Sequence, residues 1–107
     1  MIVRTEIEPS RRTVHLAGRF DAHEAPGFRA AVHPLVTAEH PGVLMDLSQV
    51  AFLDSTALAE LVRLQKRARA FGGEVVLVDP ADAVRVILEI TDLAELFTIR
   101  SSGDDPS

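Results

Sequence analysis

The stretch from residue 43 to 78 constrains the fold more than any other part of the chain. "VLMDL" (43–47) and "EVVLV" (74–78) are short runs dense in aliphatic residues, the pattern of strands inside a sheet. Between them Ala57, Leu61, Leu64, Ala68 and Phe71 recur at i, i+4 and i+7, with Leu58 and Val62 widening the stripe, so 55–71 is expected to be an amphipathic helix. Gly72-Gly73 ends it. Strand, helix, strand in this order is a crossover unit. It pairs its two strands in parallel and runs right-handed. The chain is therefore expected to be α/β.

The flanking segments extend that unit. Residues 2–7 ("IVRTEI") and 13–17 ("TVHLA") alternate as strands do, and "EPSRR" between them supplies a reversal, so they are expected to form an antiparallel hairpin. "GRFDAHEAPG" (18–27) is expected to be a loop entering a helix over Glu24 to Val36, and "EHPG" (39–42) breaks the chain before the central strand. Asp79 and Pro80 have the pattern of a cap and first residue for a helix over "DPADAVRVILEI". "TDLAELF" is expected to be a short fourth helix, capped by Asp92, and "TIR" a last strand. The expected architecture is a single domain over 1–100, a mixed sheet with an N-terminal antiparallel hairpin and helices mainly on one face. Residues 101–107, "SSGDDPS", are expected to be a flexible tail. Leu44, Leu47, Leu61, Leu64, Val76 and Leu88 are the expected core, with Phe52 and Leu53 anchoring the end of the central strand.

Several functional classes find little support. With 11 Lys+Arg against 16 Asp+Glu and a formal charge of -5, the chain has the wrong balance for gripping nucleic acid through its phosphates. Its apolar runs are far shorter than the roughly 20 residues that span a bilayer, and the N-terminus lacks the layout of a signal peptide. There is no cysteine, hence no disulfide, thiolate zinc site or thiol nucleophile. His15, His23, His33 and His40 lack metal-ligand spacing, and Asp46 beside Asp54 is a weak case for acid–base catalysis. No G-x-S-x-G surrounds Ser55. The basic residues Arg63, Lys66, Arg67 and Arg69 fit a solvated helix face. The expectation is a cytoplasmic protein with no metal or cofactor and no enzymatic activity.

Asp54, Ser55 and Thr56 stand between the central strand and the helix. Asp54 and Ser55 are expected to cap the helix start together, a cap being worth roughly 0.5–2 kcal/mol. One cap explains one polar position, and three are present. Their place beyond the carboxyl end of a central strand is where α/β sheets put binding and chemistry. On the residues alone a cap and a functional hydroxyl both stay open.

"GRFDAHEAPGFRAAV", "VLMDLSQVAFLDSTALAELVRLQKRARAFGGEVVLVDP" and "ILEITDLAELFTI" together resemble the STAS family, the sulfate-transporter and anti-sigma-factor-antagonist domain, over about residues 5 to 100. The most specific part is "F-L-D-S-T-x-L" after the strand, with "GG" downstream and "G-x-x-D", Gly18 to Asp21, upstream. The resemblance implies a stand-alone anti-sigma factor antagonist. Such a protein binds an anti-sigma factor that is a serine kinase, frees a sigma factor, and is switched off by phosphorylation of the serine after the motif aspartate, here Ser55. A phosphatase reverses the modification. Asp21, Asp54, Ser55, Thr56 and Ala57 are the implied partner-binding residues. The alternatives are an accessory subunit of a lipid-transport ABC system, or a STAS interaction module that is not phosphorylated. The sequence departs from the family at Ala57 and Ala59, where glycines are usual, and at Asp92, where a glycine is common.

Overall fold

A computed structural model describes residues 1–102. Five strands form one sheet in the order β1-β2-β3-β4-β5: β1 Ile2–Ile7, β2 Arg12–Phe20, β3 Val43–Leu53, β4 Val75–Val78 and β5 Thr98–Arg100. β1 runs antiparallel to β2, and every other neighbouring pair is parallel. Three helices, α1 Ala25–Val32, α2 Ser55–Ala70 and α3 Asp82–Ile90, make the connections between the parallel strands. From β2 onward the strand order follows the chain order. Crossovers of one hand that always step in the same direction leave their helices on the same side of the sheet. Phe28 and Val32 of α1, Leu61 and Leu64 of α2 and Val84 and Leu88 of α3 accordingly share one cluster with Val14, Met45, Leu47 and Leu77 of the strands. Among the described residues, the other face of the sheet carries no helix.

The expected mixed sheet, hairpin and crossover are present, with corrections in detail. β3 runs to Leu53, well past 47, and is eleven residues long. Its alternation breaks after Leu47, and the inward residues become Val50 and Leu53. Two register irregularities against β2 allow this spacing of three, because a bulge re-aims the side chains that follow it. Leu44 is half-buried, because it points to the bare face beside its register partner Val76. Val76 is buried at 7% exposed, outside the main cluster. Phe52 does not anchor the core: it is 36% exposed, while Leu53 is buried.

The first helix is shorter than 24–36. It gives way at His33-Pro34-Leu35 to a tight 3-10 turn, as Pro34 cannot donate to the preceding turn. α3 begins at Asp82 with Ala81 as its cap residue; Asp79 takes a left-handed φ of 48° and binds the Ser102 amide instead. Ser102, in the expected tail, donates its amide to that Asp79 carboxylate; residues 103–107 lie outside the described ones. Residues 94–96 form a 3-10 turn, and Asp92 does not cap it. With φ 59° Asp92 closes α3 from the far side, and the Leu93 amide reaches the Leu88 carbonyl at 3.0 Å. That conformation is the reason a glycine is at home there.

Gly72 and Gly73 close α2 in the same way, with φ 89° at Gly72 and the Gly73 amide bonded to the Ala68 carbonyl at 2.9 Å. Gly73 carries a second constraint. A β-carbon built on it would sit 2.5 Å from the carbonyl carbon and oxygen of Pro41. Gly73→Ala is therefore expected to destabilise the protein by about 1–3 kcal/mol through forced backbone movement. Urea denaturation checks this, and an unchanged midpoint contradicts the close approach.

Candidate functional site

The site is assembled where β2 and β3 end. The two strands finish in register, Phe20 opposite Leu53, so the loop after β2 and the start of α2 emerge side by side. Asp54 joins them. It is the N-cap of α2 in extended conformation, and its Oδ1 accepts the Ala57 amide at 2.9 Å. Its Oδ2 accepts the Ala22 amide from the β2–α1 loop, also at 2.9 Å. Its own amide donates to the Phe20 carbonyl at 3.3 Å. In that loop Asp21 turns the chain into α1: its Oδ1 accepts the Glu24 amide at 3.2 Å, and its backbone carbonyl accepts the amides of Glu24 and Ala25.

Ser55 and Thr56 are exposed. Ser55 is the first residue of α2, so it does not share the capping with Asp54, as the sequence would allow; the carboxylate does it alone. The seryl hydroxyl is left on the surface at a helix N-terminus, where backbone amides and the helix dipole favour negative charge. Ala57 is fully buried, and its amide is taken by Asp54. Of the residues implied to face a partner, Ala57 is thus turned into the core. Asp21, Asp54, Ser55 and Thr56 are brought together at one end of the sheet.

Sequence reasoning missed two neighbours of this surface. Arg19 lays its guanidinium 4.1 Å from the centre of the Phe52 ring, and its Nε lies 3.9 Å from Asp21. The bulged register of β2 against β3 places Arg19 opposite Phe52, and no sequence signal discloses that pairing. Behind the site, Glu60 is fully buried between α1 and α2. It accepts hydrogen bonds from Arg29 and from Arg63, the latter at 2.7 Å, and His33 lies 3.5 Å away. The bond from Arg29 holds the Glu60 carboxyl below its ordinary range against the opposing effect of burial, with Arg63 adding to it. Burial pushes His33 down, and Glu60 partly offsets that.

The other polar groups lie elsewhere. Asp46 sits on the bare face, bonded to His15 Nδ1 at 2.7 Å and to the amide and hydroxyl of Ser48. Burial raises its carboxyl, but Ser48 and His15 together pull it below its usual value. It does not join Asp54. Of the basic helix face, Arg67 and Arg69 are not merely solvated: they donate to the carbonyls of Val36 and Leu96. Among the described residues no group of three or more His, Asp or Glu is placed to hold a metal, and no helix is long and apolar enough to cross a membrane.

The chain and its fold are similar to known proteins. The anti-sigma-B factor antagonist of Listeria monocytogenes is 31% identical over 88 residues, covering 82% of this chain and 77% of that protein. The solved structure of the anti-sigma factor antagonist SpoIIAA in its unphosphorylated form superposes with a TM-score of 0.79 at 16% identity, covering 96% of this chain and 91% of that one. The phosphorylated form of the Bacillus cell fate determinant SpoIIAA gives 0.74 at 15% identity, with 96% and 95% covered. The STAS domain family model matches residues 3–105, and the chain belongs to that family.

Proposed function

We propose that this protein is an anti-sigma factor antagonist that works in the cytoplasm as a binding switch without catalysis of its own. It binds an anti-sigma factor that is a serine kinase and thereby frees a sigma factor. Phosphorylation of Ser55 by that kinase ends the binding, and a phosphatase restores it. The observation that carries this reading is the state of Ser55: exposed at the first position of α2, with the cap already supplied by Asp54. A hydroxyl that is not needed for capping is free to be modified. The likeness to the Listeria antagonist supports the partner class, and the existence of SpoIIAA in two phosphorylation forms supports the switch.

The physical logic is electrostatic. A phosphate adds roughly -1.5 to -2 charges beside the carboxylates of Asp54 and Asp21. The first-turn amides of α2 tolerate it, so the fold survives, while a partner covering the site meets both repulsion and a desolvation cost. Ser55→Asp is expected to weaken binding to the cognate anti-sigma factor at least tenfold, about 1.4 kcal/mol, in a calorimetric titration. Ser55→Ala is expected to bind and to take no label from kinase and ATP. Melting temperatures of both variants stay within a few degrees of the parent. Undiminished binding by Ser55→Asp, or a label on Thr56 in its place, overturns the assignment.

A further inference from the structure

The two edges of the sheet differ. β5 is three residues long, and so short an edge offers another chain little to pair with. β1 has six residues, no proline and an unbroken register against β2, and its outer edge pairs with no strand among the described residues. Val3 is half-buried, and the other five residues are exposed, including the large apolar Ile2 and Ile7. A long, open edge of this kind is a template for a further strand.

The side chains of β1 specify which strand fits. Val3, Thr5 and Ile7 stand opposite Leu16, Val14 and Arg12, on the helix-covered side of the sheet. Arg4 and Glu6 stand opposite His15 and Thr13, on the bare side. Arg4 donates to Glu6 at 2.8 Å, and His15 lies 2.9 Å from the same carboxylate. Consider a second β1 laid antiparallel about a two-fold axis perpendicular to the sheet. Directly opposed residues of an antiparallel pair share a face, so odd positions must meet odd ones and even positions even ones. Centred on Thr5, the pairing sets Arg4 against Glu6 twice and Val3 against Ile7 twice, with Thr5 meeting itself. Centred on Arg4, it sets two guanidiniums against each other; centred on Glu6, two carboxylates. Of the registers that overlap most of the strand, charge therefore selects the one about Thr5.

We propose that β1 is the docking strand for a second copy of this chain, joining two five-stranded sheets into one through antiparallel β1–β1 pairing. Arg4 and Glu6 of the two copies form an alternating square of four charges, while Val3 and Ile7 cover one another on the opposite side. The two-fold points the two β3 strands in opposite directions, so the surfaces around Ser55 stay open at opposite ends of the dimer. The inference rests on β1 alone and is independent of the switch proposed for Ser55.

Sedimentation equilibrium of the full chain at neutral pH is expected to show a monomer–dimer equilibrium, half-dimeric at or below about 100 µM, as suits a small interface. Arg4→Glu and Glu6→Arg each oppose like charges at both symmetry-related positions, and each alone is expected to weaken dimerisation at least about fivefold. Mixed in equal amounts, the two variants are expected to pair with each other about as well as the parent pairs with itself, because every charge then meets its opposite. Thr5→Lys places two cations on the axis while leaving Arg4 and Glu6 intact, and is expected to weaken dimerisation at least about fivefold too. It serves where Glu6→Arg, set beside His15, does not fold; circular dichroism checks each variant. Arg100→Glu, on the other edge, is expected to dimerise as the parent does. A monomer throughout the concentration range overturns the proposal. So does a dimer that no folded β1 variant weakens, a mixture that dimerises no better than its components, or an equal loss in Arg100→Glu.

Discussion

Leu61→Ala is expected to lower the free energy of unfolding by about 2–5 kcal/mol, a large share of the ~5–15 kcal/mol that holds a typical domain together. Leu61 is fully buried on the inward stripe of α2, in the cluster that joins all three helices to the sheet. Truncation removes apolar contact and leaves a cavity that helices fixed by short connections close only in part. Denaturation by urea with an unchanged slope measures the loss. A change under about half a kcal/mol means that this face is not the one buried.

Removing both arginines from Glu60 is expected to destabilise the protein, because it takes from the carboxylate the cations that hold it ionised. Arg29 and Arg63 are themselves more than half exposed, so the penalty falls on the acid and not on them. The control separates the two sides: adding Glu60→Met to Arg29→Ala/Arg63→Ala is expected to recover most of the loss, since an apolar side chain of similar volume suits the site. Acidity gives a second readout. The folded carboxyl of Glu60 titrates below its ordinary value, chiefly because Arg29 donates to it. Its contribution is fully present above the unfolded value, roughly pH 4.3, and is lost as the pH falls through the folded one. Glu60→Gln is thus expected to flatten the acid limb of the stability curve. An unaltered limb contradicts the linkage.

What the sequence disclosed and what it concealed follow from the range of the forces involved. The crossover was legible because Val75, Leu77 and the α2 stripe obey simple periods, and one period is enough to specify a buried face. The end of β3 was hidden because bulges against β2 replace the period of two with steps of three. Leu44 was misplaced because an aliphatic residue in a strand does not disclose which face is covered. Glu60 and Gln65 interrupt the α2 stripe as polar residues, and only the partners explain them. Glu60 meets Arg29, and Gln65 bonds the Val75 amide and the Leu96 carbonyl. At the site, motif and position were readable in Asp54 and Ser55. The division of labour between them needed coordinates, as did the inward turn of Ala57.

The two bonds that Asp54 accepts from Ala22 and Ala57 have a mechanical meaning. Loops at the end of a sheet ordinarily fluctuate independently, and a partner that grips two of them must first freeze both. Here a single carboxylate ties the loop of Asp21 to the first turn of α2, so Asp21, Ser55 and Thr56 are presented in one frame. Docking on such a frame forfeits little conformational entropy, and much of the interaction energy survives as affinity. Under the proposed function, a group added at Ser55 would therefore fall within the same frame that a partner covers.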